Sequence, residues 1–370
     1  MLTTEPNPTR FGSGQAVRRL EDESLLSGAG RYTDDVTLPE QAHLVFLRSS
    51  YPHARILSID TSAAAAMPGV LRVITGAEMA EAGVKPLPGA AGFKRADGSD
   101  SASPPRYAIA HERARFVGEV VAAVVADTVQ QARDAAEAIM VDYEDLPMVV
   151  DLESATASDA PLLCEEASGN IAAEMRHGSS EAATAAFAKA AHVVALDVHN
   201  QRVVALTIEP RSVLAARDPE TGRLTIRMST QMPSGVRDSV CAAIGLPKEK
   251  VRVVVGDVGG GFGMKTGAYP EDIAVAFAAL QVDRPVKWVA ERSEEFLSSA
   301  HGRDIEARAE MALDADGKIL ALRIKTLANV GAYATGTGVA IQLLIGPWVQ
   351  TSVYDIQTID FHFKAVLTNT

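Results

Sequence analysis

At 370 residues and 39.1 kDa the chain is long enough for roughly two or three domains. Its 47% hydrophobic and 22% charged residues are those of a globular protein, and a net charge of −12 argues against a nucleic-acid partner, which wants a basic face. No run of about eighteen apolar residues would span a membrane, and Met1–Gly14 lacks the basic start and apolar core of a secretory signal. A cytoplasmic location is therefore expected. Two cysteines, Cys164 and Cys241, supply neither a disulfide framework nor a four-cysteine metal site. Any iron–sulfur cluster must then sit on another chain.

The first segment, Arg10–Val36, is polar and turn-rich, with a short helix around Leu20–Leu26 stopped by Gly28. His43–Arg48 reads as a buried strand, and Arg55–Asp60 alternates in the manner of a second. Thr61–Met67 and Ala77–Ala82 are short Ala-rich helices flanking a strand at Val70–Thr75. Residues Gly83–Pro105 are rich in Gly, Pro, Ser and Ala without periodicity, which predicts a long surface loop. Val117–Ala126 is almost continuously apolar, as suits a central strand. An amphipathic helix at Thr128–Ile139 and a strand starting at Val141–Tyr143 complete a compact α+β unit. Asp151–Gly169 is acidic, small-residue and proline-containing, hence a linker by composition.

The second unit opens with a helix, Ser180–Ala190, and a strand, Ala191–Val198. Thr207–Ala216 and Arg223–Ser229 read as strands joined by the turn at Asp218–Gly222, and Val236–Ile244 as a helix. Ile305–Leu313 and Ile319–Ala328 form a hairpin across Asp314–Gly317, with a last strand at Thr358–Leu367. Between them lies Val251–Lys265, V-R-V-V-V-G-D-V-G-G-G-F-G-M-K, and five residues after it Pro270-Glu-Asp opens the Ala-rich helical segment Ile273–Leu280. This order is strand, glycine loop, helix. Bunched glycines let main-chain N–H groups approach a ligand without side chains intervening. Both common glycine fingerprints fail at Met264. The dinucleotide pattern needs glycine there, and so does the phosphate-loop pattern that Gly259, Lys265 and Thr266 otherwise satisfy.

Several spaced stretches together resemble one family. They are R-L-E-D…L-L-S-G-A-G-R-Y-T-D-D at Arg19–Asp35, R-S-S-Y-P-H-A-R-I-L-S-I-D at Arg48–Asp60 and F-V-G-E-V-V-A-A-V-V-A at Phe116–Ala126. S-T-Q at Ser229–Gln231, D-V-G-G-G-F-G-M-K at Asp257–Lys265, E-R-S-E-E-F-L-S-S-A-H-G-R-D at Glu291–Asp304 and L-A-N-V-G-A-Y at Leu327–Tyr333 complete the set. The chain resembles the molybdopterin-binding large subunit of the xanthine dehydrogenase and aldehyde oxidase family, in its carbon monoxide dehydrogenase-like bacterial branch. The likeness runs from about Phe11 to the last residue.

The resemblance implies an α+β fold, with an α/β hammerhead domain over residues 19–151, a linker at 152–168 and the first molybdopterin-binding domain at 169–370. It implies a molybdenum–molybdopterin cofactor in the cytosine dinucleotide form, with iron–sulfur clusters and FAD on a small and a medium partner subunit. It also implies a small-molecule substrate hydroxylated with water as the oxygen source. By the same match Gln231 hydrogen-bonds an apical ligand of the metal, and Gly260, Gly261, Phe262 and Gly263 form the loop crossing beside it. No residue ligates the metal directly, because the pterin dithiolene does so. The family's catalytic glutamate falls beyond Thr370, so no catalytic residue is assigned. About half of a catalytic subunit is thus expected, its remainder either lost from the reading or carried on a separate polypeptide, and the chain alone is expected to be inactive.

Two other readings stand beside this one: a non-catalytic homologue acting in subunit assembly or cofactor handling, and a phosphate-loop nucleotide-binding protein. Lys265 would be a capping cation, a phosphate ligand or a solvated loop lysine. Glu209-Pro210-Arg211 reads as a strand-edge ion pair, and His301, near Arg303 and Asp304, as structural or solvated. His177, His192 and His199 lack a metal spacing, and Glu165-Glu166 reads as a solvated acidic patch.

Overall fold

The uniformly apolar run predicted as a central strand is Val120–Ala126, buried at every residue. In the computed structural model, which describes residues 18–370, it lies inside a seven-stranded sheet. Met1–Gly14 and Phe11, on which two of the sequence readings rest, lie outside the described residues. The strand pairs antiparallel with Ala42–Arg48 on one side and Val70–Thr75 on the other. Ala42–Arg48 then pairs in parallel with Val286–Val289, through Ala42 with Val286 and His43 with Lys287. From there the sheet continues through Ser212–Arg217 and Leu224–Met228 to its edge strand, Val251–Val254. The glycine loop leaves from that edge.

One sheet therefore crosses the boundary expected between the two units. Composition cannot show this, because the parallel pairing joins segments remote in sequence. The helix at Pro270–Val282 is buried from Glu271 to Ala279, and its Ile273, Val275 and Phe277 belong to one apolar core with Val213, Ile226, Val251 and Trp288. Such all-round burial explains why its sequence lacks a polar face. The predicted strand at Thr207–Ala216 is shorter than expected, since only Ser212–Arg217 is a strand. Thr207–Arg211 instead turns towards the glycine loop.

A second sheet has five strands in the order Ile171–Gly178, Ile359–Leu367, Ile319–Gly331, Ile305–Leu313 and His192–Asn200. The predicted hairpin is present. Asp314 Oδ1 accepts from the N–H groups of Asp316 and Lys318, and Gly317 takes φ +84°. A small sheet pairs Ala54–Asp60 with Met140–Asp145 and Arg113–Ala114.

Two expectations from composition are corrected. Asp151–Gly169 is folded rather than a loose tether: Asp151 caps the helix Leu152–Thr156, and Leu152, Ala155, Leu163 and Ala167 join the core with Phe361 and Leu367. The buried Asn170 amide ties the segment down, donating to Ala155 O at 2.9 Å and Pro161 O at 3.0 Å. The loop at 83–105 is likewise strapped inward through Ala90 and Ala102, which lie in the same core. Small residues suit close backbone packing as well as loops, so composition alone did not separate the two.

Candidate functional site

Past Val254 the chain runs through Gly256 and Asp257, whose carboxylate accepts the Arg31 N–H at 2.7 Å. The N-terminal motif thus braces the root of the glycine loop. The loop then takes positive φ at Gly260 (+106°), Phe262 (+52°) and Gly263 (+89°). A phenylalanine in the left-handed region costs roughly 1–2 kcal/mol, and its ring is 76% exposed. Such a residue is held by its surroundings rather than by its own preference. The N–H groups of Gly260, Gly261 and Phe262 have no acceptor among the described residues.

Gln231 stands beside these groups. It follows the buried strand end Ser229-Thr230, and its own N–H donates to Lys265 O at 2.9 Å. Its side-chain Oε1 accepts the Gly263 N–H at 3.0 Å. That leaves the amide Nε2 without an acceptor among the described residues. A Cβ added at Gly261 would lie 2.6 Å from Gln231 Oε1 and 2.7 Å from its Cδ. The missing side chain at Gly261 therefore makes room for Gln231. The structure brings Gln231, Gly261, Phe262 and Gly263 together, with Gly260 immediately before them. Together they present several neutral donors and one apolar ring on a single exposed surface.

Lys265 corrects the sequence reading. It is fully buried, 2% exposed, and its Nζ donates to Glu209 O at 2.9 Å and to Glu209 Oε2 at 3.1 Å. Burial lowers its pKa, with Glu209 opposing. Turned inward, it offers no cation to a phosphate. The following helix starts only at Pro270, so neither half of a phosphate loop is in place. The nucleotide-binding reading is dropped on these grounds.

Glu209-Pro210-Arg211 is not a strand-edge pair either. Its two charges point to different partners. Arg211 is buried between Glu271 Oε2 (3.1 Å) and Glu295 Oε1 (3.0 Å), with the Tyr269 ring centre 4.0 Å from its guanidinium carbon. Arg48 adds a second cation, 2.8 Å from Glu271. Burial opposes the Arg211 charge, but Glu271, Tyr269 and Glu295 outweigh it and hold the guanidinium protonated. Burial likewise pushes Glu271 up, while Arg211 and Arg48 bring it down to about 2. Neighbouring Asp272 goes the other way: burial outweighs the Tyr269 N–H and the Arg211 charge, raising it to about 7.

Asp272 carries a pH prediction. Its folded pKa lies above its unfolded value, so the fold binds its proton more tightly. The stability this contributes is complete below about pH 4 and is lost as pH rises to about 7. Asp272→Asn keeps an oxygen for the Tyr269 N–H, now 2.8 Å from Asp272 Oδ2, without the charge. Unfolding free energies of the two proteins should therefore diverge as pH rises through this window, the Asn variant gaining on the order of 1 kcal/mol for each tenfold fall in proton concentration. Denaturant titrations at a series of pH values check this. A difference that stays constant over the window would contradict the assignment.

Comparison with known proteins gives these residues a context. The molybdopterin cofactor-binding domain family matches residues 163–370, which include Gln231 and the whole glycine loop. The aldehyde oxidase and xanthine dehydrogenase a/b hammerhead domain matches residues 27–147. The chain belongs to the xanthine dehydrogenase and aldehyde oxidase family. It is 38% identical over 335 residues to the carbon monoxide dehydrogenase large chain of Afipia carboxidovorans, covering 87% of this chain and 40% of that one. To the nicotine 6-hydroxylase large subunit of Paenarthrobacter nicotinovorans it is 33% identical, covering 98% and 44%. Its fold superposes on the crystal structure of quinoline 2-oxidoreductase from Pseudomonas putida 86 with a TM-score of 0.88 and 36% identity, covering 96% of this chain and 44% of that one. The chain thus spans about two-fifths of the length of these two curated relatives.

The site fits the group that membership of this family implies. Molybdopterin is rich in oxygen acceptors, and the loop offers N–H groups and an amide that nothing among the described residues satisfies. Among the described residues no group of three or more His, Cys, Asp and Glu converges on a metal position. His301 is tied into structure, accepting from Arg202 Nε at 2.7 Å with its Nε2 3.0 Å from Phe296 O. Glu166 accepts from the Cys164 thiol at 2.9 Å. Among the described residues no helix is long and apolar enough to cross a membrane.

Proposed function

We propose that the chain is part of the catalytic subunit of a molybdenum hydroxylase, acting on an aldehyde, heterocycle or similar small molecule. Its cofactor would be molybdopterin in the cytosine dinucleotide form, and electrons would leave through iron–sulfur and flavin partner subunits. The observation that supports this most directly is the meeting of the Gln231 amide with the acceptor-free N–H groups of Gly260–Phe262. When bound, the cofactor supplies the two-electron oxidation that places a water-derived oxygen on carbon.

The rest is the work of this chain's residues. Gln231 donates a neutral hydrogen bond without bringing a charge to the site, so it strengthens most where negative charge develops. Gly260, Gly261 and Phe262 keep N–H groups that no acceptor among the described residues takes up. Leu206, Ile208, Met232 and Val258, chain neighbours of Thr207, Glu209, Gln231 and Gly259, are exposed apolar residues, as is Phe262. Exposed apolar side chains beside the site suit one that is covered in the assembled enzyme. Glu209 is engaged with Lys265 and Gly259, so general-base chemistry is not assigned to it.

Purification from the native host tests the reading. Molybdenum, iron and flavin are expected to accompany the chain in fixed ratio. The complex should also place oxygen from isotopically labelled water on an aldehyde or N-heterocycle. A metal-free complex that assembles normally would favour the non-catalytic homologue. Turnover with neither iron nor flavin would exclude the proposed electron path.

A further inference from the structure

The glycine loop is held from beneath by one side chain that no local sequence pattern connects with it. Glu209 Oε2 accepts the Gly259 N–H at 2.8 Å, and the Glu209 N–H donates to Gly259 O at 3.2 Å. The same carboxylate oxygen and the Glu209 carbonyl receive Lys265 Nζ at 3.1 and 2.9 Å. One residue therefore grips both ends of the loop, Gly259 where it starts and Lys265 where it closes. The grip is dry: the Glu209 side chain is 10% exposed and that of Lys265 is 1%. The other carboxylate oxygen, Oε1, is buried with no partner among the described residues, so Lys265 carries the task of balancing the charge.

Glu209 is itself fixed by its neighbours. The Arg292 guanidinium donates to Thr207 O and Ile208 O, each at 2.8 Å, and the Thr207 hydroxyl donates to Glu209 O at 2.5 Å. Close packing completes the fit. A Cβ at Gly259 would collide with the Glu209 side chain, and one at Gly260 would lie 3.4 Å from Thr207 Cβ. The first glycine thus serves the contact with Glu209 rather than a ligand.

We propose that Glu209, neutralised by Lys265, is the positioning residue that fixes the glycine loop in the conformation that leaves the Gly260, Gly261 and Phe262 N–H groups free of acceptors among the described residues. This rests on the reading of the loop as a cofactor platform. Glu209 touches no reacting atom; it acts through the backbone of Gly259 and Lys265. A loop released from it would still fold back onto Gln231 at Gly263, but its entry would be free to turn.

The test uses Glu209→Gln and Glu209→Ala in the complex purified from the host. Amide hydrogen exchange is read over residues 256–266, together with molybdenum per chain and the split between KM and kcat. In Glu209→Ala, exchange over the loop should rise about ten- to a hundredfold, the loss of one charge-assisted grip, with the helix at 270–282 unchanged. Glu209→Gln keeps an acceptor for Gly259 and should show a smaller rise. Molybdenum per chain should fall in the same order. Loop exchange within about twofold of the parent in a folded Glu209→Ala protein would overturn the proposal. If that variant does not fold, the same result in Glu209→Gln overturns it. Faster loop exchange with molybdenum unchanged would leave the grip standing and remove the cofactor platform instead.

Discussion

Gln231→Ala should lower turnover of the assembled enzyme about a hundred- to a thousandfold, equivalent to roughly 2.7–4 kcal/mol, the usual effect of deleting one preorganised donor. The amide Nε2 has no other acceptor among the described residues, so nothing among them competes for it. KM should change far less, because the bond strengthens mainly as charge builds up during reaction. Gly261→Val supplies an independent arm. A Cβ there would sit 2.6 Å from Gln231 Oε1, so the amide must swing away and the Gly263 N–H loses its acceptor. That variant should lose turnover and metal together, whereas Gln231→Ala should keep its metal. Steady-state kinetics beside metal analysis separates them. Full turnover in a metal-replete Gln231→Ala protein would remove Gln231 from the active site.

The second large effect is on stability. Arg211→Ala should cost about 3–5 kcal/mol, as expected when one partner of a buried ion pair is deleted and its counter-charges stay behind. Glu271 would keep Arg48, at 2.8 Å, but Glu295 would lose its contact at 3.0 Å while 0% exposed. The Tyr269 and Trp288 rings, 4.0 and 5.4 Å from the guanidinium carbon, would face a void. The midpoint of chemical denaturation is the readout. A change below about 1 kcal/mol would contradict the assignment of Arg211 as the counter-charge that Glu295 depends on. The network also joins the N-terminal strand, through Arg48, to the helix that follows the glycine loop, through Glu271. Loss of Arg211 should therefore loosen the loop's support as well as the fold.

Lys265 and Glu209 show where residue-by-residue reading stops. An E-P-R triplet and a lysine after glycines each suggest a surface role when taken alone. Their pairing spans 56 positions and depends on the strand starting only at Ser212, which frees Thr207–Arg211 to meet the loop. No local pattern signals that late start. Phe262 is another case: an aromatic among glycines suggests a dry place for its ring, yet the residue is 76% exposed and sits at positive φ.

The sequence by itself determined the elements and the family. Uninterrupted apolar or Ala-rich runs located Val120–Ala126 and the helix after the loop, because both are buried on every side, and the Asp314–Gly317 turn located the hairpin at Ile305–Gly331. The spaced motifs placed Gln231 and Gly260–Gly263 in one group, since the family match covers both. Tertiary structure decided what lies beneath them. It made one sheet of strands from both sides of the expected domain boundary, drew the small-residue segments at 83–105 and 151–169 into the core, and turned Lys265 inward onto Glu209. Those outcomes depend on which surfaces meet after collapse. A buried charge is tolerable only beside its counter-charge, and only the fold brings the two together.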